Sequence, residues 1–199
     1  MPRSVREQVI LRVAGQVFAE GGYERASMDR IAGLAGVSKP MLYAYFDSKE
    51  GLYVAYIERT GGELVQRLVG ADRADRAHPP TGRLRAVINE FLAFVEEHSD
   101  GWTVLFRELS ARRPLAEQVA RLRSEIVGEV QRMLEGQGDS SWAGLRPPAS
   151  EGVAEAIVGA GEALANWWLK KPDVRREDVA EWYVGLARAA ISTAVRDAG

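Results

Sequence analysis

The sequence predicts an all-α protein, and three observations predict it. Apolar residues recur at i, i+3, i+4 and i+7 along one segment after another, no segment alternates with the period of a strand, and the interruptions fall at glycine or proline clusters beside Ser or Asp residues in capping positions. A chain of 199 residues is long enough for a small head attached to a larger body, and its 46% apolar and 27% charged composition is that of a globular protein. It contains no cysteine, which excludes disulfide staples, thiolate zinc sites and thiol redox sensing. No apolar run reaches the length of a bilayer span, and the start MPRSVREQVI lacks the continuous apolar stretch of a signal peptide. A cytoplasmic location with no membrane partner is the expectation.

The first helix carries Val9, Ile10, Val13, Ala14, Val17 and Phe18 on one face and ends at Gly21-Gly22, with Tyr23 placed to pack beneath. Ser27 then suits the N-cap of a second helix, Asp29 its positive first turn, and Met28, Ile31, Ala32 and Ala35 form its buried face. Gly36 stops that helix because glycine reaches the left-handed conformation at little steric cost. Val37 fills the corner, Ser38 caps a third helix, and Pro40 fits its first turn, where a missing N–H is tolerated. In the third helix Leu42 and Phe46 face the core, leaving Lys39, Pro40, Met41, Tyr43, Ala44 and Tyr45 outside. Asp47 or Ser48 caps a fourth, and Asp47 with Glu50 makes a start like a capping box.

The fourth helix carries Leu52, Tyr53, Tyr56, Ile57, Leu64, Val65 and Leu68, with Gly61-Gly62 in its middle. A glycine pair makes a bend cheap, either as a static kink or as a hinge that swings the head. The charged stretch GADRADRAHPP, residues 70–80, reads as an exposed connection. Three more stripes follow: Leu84, Val87, Ile88, Phe91, Leu92 and Val95; then Trp102, Leu105, Phe106 and Leu109; then Val119, Leu122, Ile126, Val130, Met133 and Leu134, the last helix opened by Pro114. Residues 136–150 read as a loop. The two final helices, over 153–169 and 179–195, are rich in Ala and Gly, and small residues permit close helix approach.

An outward helix face bearing two tyrosines and a lysine needs a reason, and a recognition helix in the major groove supplies one: its early residues meet base edges while flanking hydroxyls and cations hold phosphates. The string GVSKPMLYAYFDSKEGL, residues 36–52, together with 27–35 before it, resembles the signature of the tetracycline-repressor (TetR) family of transcriptional regulators. The resemblance implies an all-α homodimer, with a helix-turn-helix DNA-binding head over 1–49 and an effector-binding and dimerisation body over 50–199. It implies a repressor released from a palindromic double-stranded DNA operator by a small molecule. By position, Lys39, Pro40 and Met41 would approach bases, and Ser27, Tyr43, Tyr45 and Lys49 would hold the backbone; Ser38 and Ala44 complete the candidate DNA-binding set. Met41 stands where a smaller residue is commoner in the family, and Ala44 where a larger one is.

The charge distribution agrees with such a head. Residues 1–49 hold seven Lys or Arg and five Asp or Glu, a net of +2, against −2 for the whole chain. So few cations predict a modest salt dependence per head. In the body, Phe91, Trp102, Phe106, Met133, Trp167 and Trp168 are candidate walls of a moderately apolar effector site, and Asn89, Arg107, Glu162 and Asn166 its candidate polar groups. Ile157, Ala160, Gly161, Leu164, Trp182, Tyr183, Leu186 and Ala190 are the candidate dimer interface, two helices from each subunit making a four-helix bundle. No cofactor or metal is expected. The two histidines, His78 and His98, have no metal-ligand spacing, and no glycine-rich loop joins a strand to a helix, so enzyme readings find no support. The alternative is an all-α small-molecule carrier or interaction module without sequence-specific DNA binding.

Overall fold

Helix α1 (Arg3–Arg25) forms on the predicted stripe and buries Ile10, Leu11, Val13, Ala14, Val17 and Phe18. The computed structural model of the chain describes residues 2–74, 80–107, 113–136 and 144–197. Gly22 breaks α1 at φ 71°, ψ 170°, as the glycine pair requires, but one more turn follows to Arg25 before Ala26 turns extended. Then come α2 (Met28–Ala35), α3 (Lys39–Phe46), α4 (Lys49–Ala74), α5 (Pro80–Glu97), α6 (Ser99–Arg107), α7 (Arg113–Glu135), α8 (Ala149–Trp168) and α9 (Arg176–Asp197). No strand occurs among the described residues, and no described helix is long and apolar enough to cross a membrane.

The chain divides into two compact units, Met1–Gly62 with His98–Leu122, and Glu63–Glu97 with Arg123–Gly199. The first is built around aromatic rings. Phe18 and Tyr23 each meet Tyr53 edge-on, with centroids 4.8 and 5.2 Å apart, and the Tyr53 hydroxyl donates to the Val104 carbonyl at 3.3 Å. Tyr23 therefore packs under the head, as expected. Tyr56 lies in a slot that only glycine leaves open: a Cβ at Gly15 of α1 would stand 2.5 Å from its ring, and one at Gly101 of α6 2.7 Å from its hydroxyl. Burial pushes the Tyr56 phenol up to about 12, opposed in part by its hydrogen bond with Thr60.

Gly61 and Gly62 sit inside one continuous α4, and neither has a positive φ. Gly61 is a close-packing position, since a Cβ there would overlap the Leu122 side chain, whereas Gly62 has open space around it. Of the two candidate caps of α4, Ser48 acts: its Oγ accepts from the Gly51 amide at 2.9 Å. Asp47, at φ 56°, instead closes the end of α3.

In the second unit, α4 continues through residues 70–74, where composition predicts an exposed connection. The reason is a pairing invisible to composition: Asp72 and Arg83, both buried, form an ion pair that joins the end of α4 to the start of α5. Burial is tolerated because each charge faces the other. The rest of that stretch, 75–79, lies outside the described residues. Arg67 of α4 binds three carboxylates, Glu63 at 3.0 Å, Glu90 at 3.5 Å and Glu97 at 2.8 Å. Of the expected loop, 144–148 precedes α8 with Leu145 buried and its amide bonded to the Leu134 carbonyl at 3.2 Å; 137–143 are outside the described residues.

Candidate nucleic-acid interface

The turn between α2 and α3 is fixed by local chemistry alone. Ser27 Oγ accepts from the Arg30 amide at 3.5 Å, and Ser38 Oγ from the Met41 amide at 3.3 Å, so each helix has the cap its sequence predicts. Gly36 ends α2 at φ 66°, ψ 32°, with its amide on the Gly33 carbonyl and the Val37 amide on that of Ala32, the paired bonds of a Schellman motif. A residue with a Cβ would be strained at that dihedral. Ile31, Ala32, Leu42 and Phe46 are buried, which aims the opposite face of α3 outward.

That outward face presents Ser38, Lys39, Pro40, Tyr43 and Ala44 exposed, with Met41 and Tyr45 half-buried at its edge. The two half-buried residues are braced by α1. The Arg6 guanidinium lies 3.7 Å from the Met41 sulfur, and the Arg3 guanidinium sits over the Tyr45 ring, 5.1 Å from its centroid. Arg3 and Arg6 thus stand beside the outward face of α3, a placement not evident in the sequence. Their i, i+3 spacing before the first apolar stripe was a signal of a shared face, but only tertiary packing says which neighbour that face meets.

Two cations near the turn are already paired. Lys39 Nζ is 2.9 Å from the Asp29 carboxylate, which raises the lysine pKa first through that hydrogen bond and then through its charge. Arg30 and Glu20 stand 2.5 Å apart. Lys49, expected at the DNA backbone, donates to the Glu24 carbonyl at 3.0 Å and lies 4.6 Å from the centroid of Tyr23, tying the start of α4 to the end of α1.

The body residues divide by surroundings. Trp102 is fully buried in the first unit. In the second, Phe91 meets Tyr183 edge-on at 6.1 Å, and Tyr183 is packed inside the subunit, its hydroxyl donating to the Ile157 carbonyl at 2.8 Å and resting where a Cβ of Gly161 would be. Ile157, Gly161 and Met133 are buried, and Ala160, Leu164, Asn166 and Ala190 half-buried. Glu162 pairs with Arg123 at 3.0 Å; burial raises the Glu162 pKa and Arg123 opposes it. Arg123 also holds Glu155 at 2.8 Å and was not singled out from sequence. Trp168 is buried and donates its indole N–H to the Val174 carbonyl at 2.8 Å, closing the turn between α8 and α9. Asn89 is exposed. The side chains of Phe106 and Arg107 lie outside the described residues. Trp167, Trp182 and Leu186 are 40%, 50% and 54% exposed, with the two indoles 6.1 Å apart.

A head held by two capped helices and a glycine turn can be compared directly with known proteins. The family model for bacterial regulatory proteins of the tetR family matches residues 10–56, and that for the tetracyclin repressor-like C-terminal domain matches residues 80–190. The chain belongs to the TetR family. It is 31% identical over 194 residues to the HTH-type transcriptional activator FasR of Mycolicibacterium smegmatis, covering 96% of this chain and 85% of that one. A crystal structure of a TetR-like transcriptional regulator from Rhodococcus sp. RHA1 superposes with a TM-score of 0.77 at 34% identity, over 96% of this chain and 98% of that one. A tetR-family regulator from Streptomyces coelicolor gives 0.75 at 25% identity, over 99% and 89%. This TetR-family chain is therefore a DNA-binding transcriptional regulator and not an enzyme, and the carrier alternative falls with that membership.

Proposed function

We propose that this regulator is a repressor that binds a roughly palindromic operator as a homodimer, one head per half-site, and leaves it when a small, moderately apolar effector binds the body. The observation that carries the reading is the outward face of α3, where Lys39, Pro40, Tyr43 and Ala44 stand exposed on a turn locked by Ser27, Gly36 and Ser38. Lys39, Pro40 and Met41 are at the start of the helix, where base edges are read; Tyr43, Tyr45, Arg3 and Arg6 flank them and suit phosphates. Residues 1–49 serve as the reading head and 50–199 as the effector-binding and dimerisation body. The exposed Trp167, Trp182 and Leu186 supply the apolar face a second copy would cover.

Repression by occlusion needs only occupancy, which a head and a dimer face suffice to give. Effector release is an equilibrium shift: the ligand favours head spacings unsuited to major grooves about 34–36 Å apart, with a typical coupling of about 1–3 kcal/mol. The test is fluorescence anisotropy on the duplex upstream of the protein's own gene beside a scrambled duplex, followed by transcription in vitro from the bound promoter. Expected are selective binding, its loss in a Lys39→Ala/Tyr43→Phe variant, and reduced transcript. A rise in transcript would reverse the sign of regulation, and equal weak binding to every genomic fragment would remove the operator reading.

A further inference from the structure

We propose that Asp29 is a specificity-determining positioning residue: its carboxylate holds the Lys39 ammonium on the α2–α3 face and keeps it from pairing with the phosphates of non-operator DNA. The inference rests on the DNA-reading role of that face. Lys39 is the first residue of α3, where a recognition helix meets base edges. A lysine is a point charge on a flexible four-carbon stem, and left alone it pairs with any phosphate within reach. Phosphate pairing adds affinity but carries no sequence information.

In this chain the stem is tethered. Asp29 occupies the first turn of α2, set by the Ser27 cap, and Lys39 lies across the glycine turn from it with Nζ 2.9 Å from the carboxylate. Both side chains are exposed, so an approaching duplex meets the pair together and not the cation alone. Arg30, the other cation between Ser27 and Phe46, faces Glu20 in the same way. Within α2 and α3 each cation thus faces a carboxylate, so these two helices gain little from counterion release on non-operator DNA, and the charge suited to phosphates lies beside them on Arg3 and Arg6 of α1. On a matching site Lys39 keeps its direction along the face and meets a base acceptor. An exposed pair adds little to stability, so removing it isolates its effect on DNA.

The test uses the full chain as wild type, Asp29→Asn, Asp29→Glu, Lys39→Ala and the Asp29→Asn/Lys39→Ala double variant. Each is titrated by anisotropy onto a scrambled duplex and onto the genomic duplex best retained by wild type, across roughly 50–200 mM salt. In Asp29→Asn the released lysine gains one phosphate, so the slope of log K against log salt on the scrambled duplex should steepen by about 0.9. The ratio of operator to scrambled affinity should fall several-fold. Compared with Lys39→Ala, the double variant should show neither change, and Asp29→Glu should keep the wild-type slope and ratio, with every variant still folded by thermal unfolding. A gain that persists without Lys39 would mean the carboxylate repels phosphate directly and holds nothing, and an unchanged slope and ratio in Asp29→Asn would also overturn the proposal. A wild type that prefers no genomic duplex over the scrambled one marks a different failure, that of the DNA-reading face itself.

Discussion

Tyr56 shows how much one side chain can demand of its neighbours. Its ring is accommodated because residues 15 and 101 have no side chain, and its hydroxyl is buried against Thr60. The phenol titrates near 10 when unfolded and is pushed up to about 12 in the fold, so the folded state prefers the protonated form. A raised folded pKa contributes stability that is complete below pH 10 and is lost as pH rises from 10 through about 12. Two units correspond to roughly 3 kcal/mol. Denaturant midpoints of wild type should fall across that window more steeply than those of Tyr56→Phe, and parallel curves would show that the hydroxyl is better solvated than its surroundings suggest. Glu162 has the same sign at the acid end: burial raises its pKa, so it favours the fold at low pH and opposes it once ionised, Arg123 offsetting part of that. Neither environment can be read from composition, because both are made by residues far away in the chain.

Helices were legible where their signals were local. Ser27, Gly36 and Ser38 set the α2–α3 turn by bonds to residues within five positions, and those are visible in sequence. The bracing of Met41 and Tyr45 by Arg6 and Arg3 was not, since it joins elements about forty residues apart. The α4 glycines separate the two kinds of signal. Sequence sees a weak spot in a helix; packing gives the two positions opposite roles. Gly62 faces open space, so Gly62→Ala should raise stability by about 1 kcal/mol through helix propensity. Gly61 faces Leu122, so Gly61→Ala adds overpacking of about 1–3 kcal/mol against that gain and should lower the melting temperature. Equal rises in both variants would mean that Leu122 yields freely and that Gly61 is no packing device.

At the scale of the molecule, the pressing question is what covers the aromatic face of α8 and α9. Tyr183 and Trp168 turn inward, bonded to Ile157 and Val174, and so belong to the subunit's own core. Trp167, Trp182 and Leu186 turn outward, and in sequence the two sets were indistinguishable, because both recur at helical spacing in an Ala- and Gly-rich pair of helices. An isolated exposed leucine is ordinary, but two indoles in contact beside one make a contiguous apolar patch of the kind that marks an interface. Were a second copy to cover that patch, as proposed, the consequence for DNA would be that two linked heads bind with an avidity gain of about 10²–10⁴ over one head without any new base contact. A Trp182→Glu/Leu186→Glu variant places charges where a partner would bury them while leaving the inward residues alone. It should sediment as a monomer, keep the melting profile of a folded subunit, and lose at least about 100-fold in affinity for a duplex with two half-sites. Its affinity for a single half-site should be unchanged. A variant that remained dimeric with full affinity would move the interface to another face, whereas one that became monomeric yet kept full affinity would show that a single head reads the operator unaided.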